Sequence, residues 1–236
     1  MQINREKCTA CGRCVPYCPI GAITSDEVSF VDEETCVECG VCLRAQVCKS
    51  GAIEPVELSW PRILRSLFSD PLAVHPETDI PGRGTEEMKT NDITHRFKRG
   101  QIGLAVELGR PGVGTTFEDV EKVAMALARL NVEFEPKNPV TFLIHPETGR
   151  FKDLEVKKER VLSAIIEITS QQVILPNIID ALRSIEKELD TVMTVGLITT
   201  CEDGDIPVMS ILKEKGNNPR INGKVNLGLA LAWSYK

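Results

Sequence analysis

CTACGRCVPYCPIGAI at residues 8–23 and CVECGVCLRAQVCKSGAI at residues 36–53 carry eight of the chain's nine cysteines. In each stretch two residues separate the first cysteine from the second and the second from the third, and each ends on Gly-Ala-Ile. The approach to the fourth cysteine differs. Cys18 follows Cys14 after three residues and precedes Pro19, whereas Cys48 follows Cys42 after five and precedes Lys49. Laid over one another, INREKCTACGRCVPYCPIGAI (3–23) and VDEETCVECGVCLRAQVCKSGAI (31–53) match at an offset of 28 through the third cysteine, with Gly12 on Gly40, and at an offset of 30 from Gly21 and Gly51 onward. A half-unit has been duplicated, and a two-residue insertion between Cys42 and Cys48 accounts for the whole shift.

The first run, C-x2-C-x2-C-x3-C-P, resembles that of the bacterial-type ferredoxins with two 4Fe–4S clusters, and the resemblance covers about a quarter of the chain. Short Cys-x2-Cys-x2-Cys loops suit a cubane because three thiolates from one tight turn can each hold a corner iron. The resemblance implies that the fourth cysteine of each run ligates the other cluster. One cluster would then take Cys8, Cys11, Cys14 and Cys48, and the other Cys36, Cys39, Cys42 and Cys18. Zinc is the alternative metal, since paired Cys-x2-Cys also builds four-cysteine zinc sites; a third cysteine at the same interval favours the cubane. With Cys48 serving the opposite run, the longer Leu43–Val47 segment can bulge outward without disturbing its own turn. Lys49 stands where the family has proline, adding a cation and an N–H that favour the reduced state of the first cluster.

A chain of 236 residues, 42% hydrophobic with a formal charge of -6, reads as one large or two modest folded domains. No apolar run approaches a membrane span, and Cys8 lies too near Met1 to leave room for a secretory signal. The expected location is cytoplasmic. Cysteines in metal-ligand spacing, with no export signal before them, argue against a disulfide framework. The acidic charge and the lack of an RNA-binding or zinc-finger fingerprint exclude nucleic acid as the expected partner. HRFKRG at 95–100 reads as a solvated turn, with docking of an acidic partner as the alternative, and the acidic excess of residues 1–58, nine acidic against five basic, favours a basic docking face on a partner.

The predicted fold class is α+β, in three stretches: a dicluster ferredoxin domain (1–58), a linker (59–100) and a second domain (101–236). Within the linker, SWPRILRSLFSD (59–70) predicts a short amphipathic helix capped by Ser59 and stopped by Pro71, and residues 71–100 show no period. The second domain reads βαββαβ, the ferredoxin-like split order. Its strands are expected at IGLAVEL (102–108), VTFLI (140–144), VLSAIIEIT (161–169) and TVMTVGLIT (191–199), and its helices at 115–130 and 176–190. Thr116 and Asp119 form a capping box, and a turn falls at HPETG (145–149). IPVMSILKEKG (206–216) and KVNLGLALAW (224–233) would append a helix and a strand.

AVELGRPGVGTTFEDVEKVAMALARLNVEF (105–134) resembles the start of an ACT domain, a βαββαβ module that often binds amino acids at its first strand-to-helix turn. The resemblance implies an oligomerising or ligand-sensing role, with a small molecule near the Gly109–Gly114 loop, whose amides could also face an anion. Cys201 reads as a small core residue, and His75, His95 and His145 are scattered. No catalytic constellation emerges. The expected function is therefore electron transfer, as a non-catalytic subunit in anaerobic-type metabolism with a flavin- or metal-containing oxidoreductase as partner. The alternatives are a reductase whose second domain binds substrate directly and an ACT-like ligand-responsive regulator.

Overall fold

The computed structural model describes residues 1–82, 96–110 and 112–219. The duplication is written into the backbone of the first of these stretches. Strand Gln2–Ile3 ahead of the first run pairs with Ile53–Glu54 after the second, and Ser29–Val31 ahead of the second run pairs with Ile23–Ser25 after the first. Equivalent bonds recur in both halves: Asn4 N–H to the Ala52 carbonyl and Asp32 N–H to the Ala22 carbonyl, each at 2.8 Å. Ala10 and Glu38, at φ 52 and 54, occupy the same left-handed step between the first two cysteines. The runs diverge where the insertion falls. Val15–Tyr17 makes a 3-10 turn around Pro16, whereas Val41–Arg44 makes a full α-turn that exits through Gln46 at φ 51.

Residues 101–199 build a four-stranded antiparallel sheet. Its spatial order is Met193–Thr199, Gln101–Leu108, Ala164–Gln171, Glu133–Phe134. Numbered along the chain the order is 4-1-3-2, with helices Phe117–Ala128 and Leu175–Ile185 as the two crossovers. Alternation along the strands places Ile102, Leu104, Val106 and Leu108 beside Ala164, Ile166 and Ile168 on one face. The helices cover that face with Val120, Val123, Leu127, Ile178 and Leu182, all in one buried cluster. Thr116 caps the first helix, its hydroxyl accepting the Asp119 N–H at 3.3 Å. The predicted turn at HPETG closes the hairpin of Ile144–His145 and Arg150–Phe151. Gly149 is required there: at φ 72, a Cβ would lie 2.3 Å from the backbone of Ala124.

Several expectations change. VTFLI is not a strand; Pro139–Leu143 forms a short helix capped by the Asn138 side chain, which accepts the Val140 N–H at 2.9 Å. The second strand is instead the two-residue Glu133–Phe134. VLSAIIEIT breaks in two, with Arg160–Val161 paired to Thr115–Thr116 and Ala164–Gln171 in the main sheet. Beside this short helix, Asn138 donates to buried Glu167 of the main sheet at 2.7 Å. The appended helix is Met209–Glu214, and KVNLGLALAW lies outside the described residues.

The stretch read as a linker joins the core. Helix Ile63–Ser69 starts at Arg62, with the Ser59 carbonyl rather than its side chain meeting Ile63 N–H at 2.8 Å. Leu64 and Phe68 sit in the same cluster as the sheet, and the Phe68 ring meets Phe117 edge-on at 5.0 Å. Ser69 Oγ accepts the Leu162 N–H at 2.8 Å, and Trp60 Nε1 donates to Asp153 at 2.7 Å. Val74–His75 and Ile80–Pro81 form a hairpin within the part expected to lack regular structure. HRFKRG is more than a solvated turn: Phe97 is buried, Arg96 pairs with Glu135 at 2.8 Å and Arg99 with Asp203 at 2.6 Å, while His95 lies outside the described residues.

Candidate metal centre

Two cavities open between the half-units, and each draws cysteines from both. Cys8, Cys11, Cys14 and Cys48 line the first, together with Thr9, Arg13, Lys49 and Ser50. Cys18, Cys36, Cys39 and Cys42 line the second, with Met1, Pro19, Ile20 and Glu38. The crossing follows from the strand pairing, which lays the tail of each run beside the turn of the other. Cys18 Sγ accepts the Ala22 N–H at 3.0 Å, and Cys48 Sγ accepts the Ala52 N–H at 3.2 Å. These are the same bond in the two copies.

The two sites differ in exposure. Cys11 is exposed and Cys8 and Cys48 half-buried, while the whole stretch from Cys36 to Gly40 is buried. Backbone N–H of Arg13 and the Thr9 hydroxyl hold Cys11 below the ordinary thiol range, and the Ser50 hydroxyl does the same for Cys48. Burial pushes Cys36 and Cys39 up and takes Cys42 to about 11, against backbone N–H groups of Glu38, Val41 and Leu43 that pull the other way. Occupation of the second site therefore has to displace protons from buried thiols.

Charged groups that the sequence pattern did not single out wall the second site. Glu38 is 5% exposed and receives the Met1 amino group at 2.5 Å and Arg62 Nη2 at 2.7 Å. Burial pushes its carboxyl up, but these two cations outweigh that and hold it below the usual range. Arg44 donates to the Cys39 carbonyl at 2.6 Å and to Asp70 at 2.7 Å. Arg65 donates to the carbonyls of Glu33 and Cys36 at 2.7 and 2.8 Å and to the Glu159 carboxylate. No sequence signal marked them: Arg62 and Arg65 stand three residues apart at the start of an amphipathic helix, as water-facing arginines also do.

The other candidates do not converge. In the Gly109–Gly114 loop, Gly109 N–H bonds the Val192 carbonyl at 3.0 Å, and the N–H groups of Val113 and Gly114 both bond the Gly109 carbonyl. Gly109, at φ 90, leaves no room for a Cβ, which would lie 2.8 Å from the Leu162 carbonyl, whereas a Cβ on Gly112 would make only an ordinary contact with the Pro19 carbonyl, 3.8 Å away. Gly109 thus lets this loop close on its own domain. Cys201 is exposed beyond the strand end at Thr199, a correction to its expected core position. His75 is buried and His145 exposed.

Among the described residues no three His, Cys, Asp or Glu side chains close tightly enough around a point to hold a single ion. Comparison with known proteins agrees with the cluster reading: residues 1–24 match the 4Fe-4S binding domain family. The chain is 33% identical over 100 residues to Ferredoxin Fdx2 of Sorangium cellulosum, an alignment spanning 94% of that protein and 40% of this one. The chain belongs to the ferredoxins. Ferredoxin-1 of Rhodobacter capsulatus is 45% identical over 40 residues, covering 62% of its length and 16% of this chain. Ferredoxin-2 of Chlorobaculum tepidum is 43% identical over 35 residues, covering 56% of its length and 14% of this chain. No solved structure gives a significant match. This ferredoxin carries 4Fe–4S clusters, and its two four-cysteine cavities offer the all-thiolate donor sets that such clusters take. Among the described residues no helix is long and apolar enough to cross a membrane.

Proposed function

We propose that this ferredoxin is an electron-transfer subunit that exchanges single electrons with a partner oxidoreductase carrying flavin or metal, in the cytoplasm. Cys8, Cys11, Cys14 and Cys48 hold one cluster, and Cys36, Cys39, Cys42 and Cys18 hold the other. The observation that carries this reading is the crosswise sorting of eight cysteines into two cavities, four to each. A 4Fe–4S group bound by four thiolates supplies one-electron chemistry and leaves no open coordination position for substrate. The chain's own part is to hold the thiolates, to donate backbone N–H groups to their sulfurs, and to present or shield each site. Exposed Cys11 makes the first site the exchange face, while Arg62, Arg65 and the helix that carries them shield the second.

The second domain is read as a docking or assembly unit of ACT-like order. Its 4-1-3-2 sheet supports that reading, as does Met193–Thr199, the edge strand among the described residues, where Thr194, Val195 and Gly196 are exposed. A ligand at the Gly109–Gly114 loop is left out, since amides of that loop are engaged within the fold.

Anaerobically reconstituted protein should hold about eight irons and about eight sulfides per chain, the content of two cubanes. Once reduced with dithionite it should stay reduced against small metabolites and be oxidised by a redox protein that copurifies with it. Turnover of a small substrate by the isolated chain would sink the carrier reading. A chain that remains monomeric in light scattering, alone and with copurifying proteins, would sink the assembly role.

A further inference from the structure

Arg65 stands where the cysteine module, helix Ile63–Ser69 and the second domain meet. Its side chain is buried, and Nη1 reaches the carbonyls of Glu33, Cys36 and Glu34 at 2.7, 2.8 and 3.2 Å while Nε faces the Glu159 carboxylate. The peptide groups of this turn work in both directions. Backbone hydrogen bonding from Glu38, Val41 and Leu43 favours the thiolates of Cys36, Cys39 and Cys42. The carbonyls of Cys36 and Cys39 point outward into Arg65 and Arg44. Arg44 belongs to the cysteine module itself, but Arg65 comes from a helix fixed in the second domain's core through Leu64 and Phe68. A planar fork whose other edge is held by a buried carboxylate leaves the turn one orientation, and with it the N–H groups that face sulfur.

We infer that Arg65 is a positioning residue for the Cys18, Cys36, Cys39 and Cys42 site, through which the second domain sets that site's affinity for an electron. The inference rests on the electron-transfer reading above. Hydrogen bonds to ligand sulfur and positive charge near a cluster both favour its reduced form. Arg65 supplies the charge directly and secures the hydrogen bonds by holding the turn. The two cysteine sites are thus unequal by construction: one belongs to the cysteine module, the other to the junction between module and second domain.

The test is a redox titration of the full chain followed by EPR, resolving both sites, with the first as internal control. Arg65→Gln should lower the reduced-to-oxidised ratio of the second site about tenfold at the wild-type midpoint, equivalent to about 59 mV for one electron, and leave the first site unmoved. Arg65→Lys keeps the charge without the fork and should restore only part of the shift. Ser69→Ala removes the 2.8 Å bond to Leu162 from the same helix without touching the cysteine turn, and should leave both midpoints in place. Arg65→Gln combined with Glu159→Gln removes both buried charges together, so folding is retained where the single variant strands Glu159. Loss of the second-site signal alone, with the first intact, also supports the inference. It is overturned by unchanged second-site midpoints in both Arg65→Gln and the double variant, by equal shifts at the two sites, or by full rescue with lysine. A wild-type chain lacking two reducible centres would instead refute the electron-transfer reading itself.

Discussion

The two cysteine runs share a backbone and differ in their surroundings. From Asn4 and Asp32 through Gly21 and Gly51, the same turns, left-handed steps and N–H to sulfur bonds recur. Yet the first site opens to solvent, with Cys11, Arg13 and Lys49 exposed, and the second lies beneath Arg62, Arg65 and the Glu38 ion pair. Duplication preserved the turn that holds three thiolates, because that geometry is set by local backbone. What lies outside the turn was free to change. The insertion after Cys42 shows how: two extra residues close an α-turn at Val41–Arg44, which brings Arg44 to the Cys39 carbonyl and Asp70.

The largest expected effect tests whether the two runs are separate sites or crossed ones. Cys18→Ala should abolish the signal of the site built on Cys36, Cys39 and Cys42 and leave its own run's cluster in place, with iron falling to about half. Loss of the cluster at Cys8, Cys11 and Cys14 instead would show that each run serves itself. EPR of the reduced variant, beside an iron and sulfide count, separates the two outcomes.

Next in size is the seam that makes the second site different. Phe68 is 1% exposed and packs edge-on against Phe117 and against His75 at 4.8 Å. Phe68→Ala should cost about 3–5 kcal/mol of stability. The helix that carries Arg65 loosens with it, so the absorbance of the second cluster should bleach before that of the first during denaturant unfolding. Simultaneous bleaching would mean that the helix gives the second site no special protection.

How much of this was legible in the sequence depends on how local the cause is. The cysteine turns, the Thr116 cap, the HPETG hairpin turn and the long helices are set by neighbours in the chain, and they stand where the pattern placed them. Asn138-Pro139 is itself a helix-start signal, but the apolar alternation of VTFLI masked it. Glu133–Phe134 is too short to show a period at all. The environment of the second site was illegible for a different reason. Arg65 meets partners 29 to 94 residues away, and nothing in RILRS distinguishes a guanidinium bound for cysteine-turn carbonyls from one bound for water.

A smaller effect belongs to the same seam. Burial lowers the His75 pKa below its ordinary 6.5, against the Gly82 carbonyl, Glu77 and the Leu67 carbonyl, which pull it up. The folded protein therefore holds a neutral ring where the unfolded chain takes a proton. Stability from this group is full above about pH 6.5 and declines as pH falls from there toward the folded-state pKa, below which the loss is complete. Replacing His75 by Phe should flatten this part of the curve of melting temperature between pH 7.5 and 5.5. A slope that survives the replacement would assign it to other groups.

The smallest expected effect returns to the exposed site. Lys49 lines the first cavity and stands where the other run has Pro19, so it was expected to raise the first site's potential through both its charge and its N–H. The structure separates these contributions. The backbone N–H groups that reach Cys48 sulfur come from Ala52, Ile53 and Ser50, so a proline at position 49 removes none of them. Only the ammonium remains, and at an exposed position solvent and salt screen it. Lys49→Pro and Lys49→Gln should therefore lower the first site's midpoint equally, by less than the second-site shift of Arg65→Gln, and the difference from wild type should shrink as salt is raised. A larger drop for proline than for glutamine would show that the backbone at position 49 matters after all. A drop that ignores salt would show that the first site is less open to solvent than Cys11 makes it.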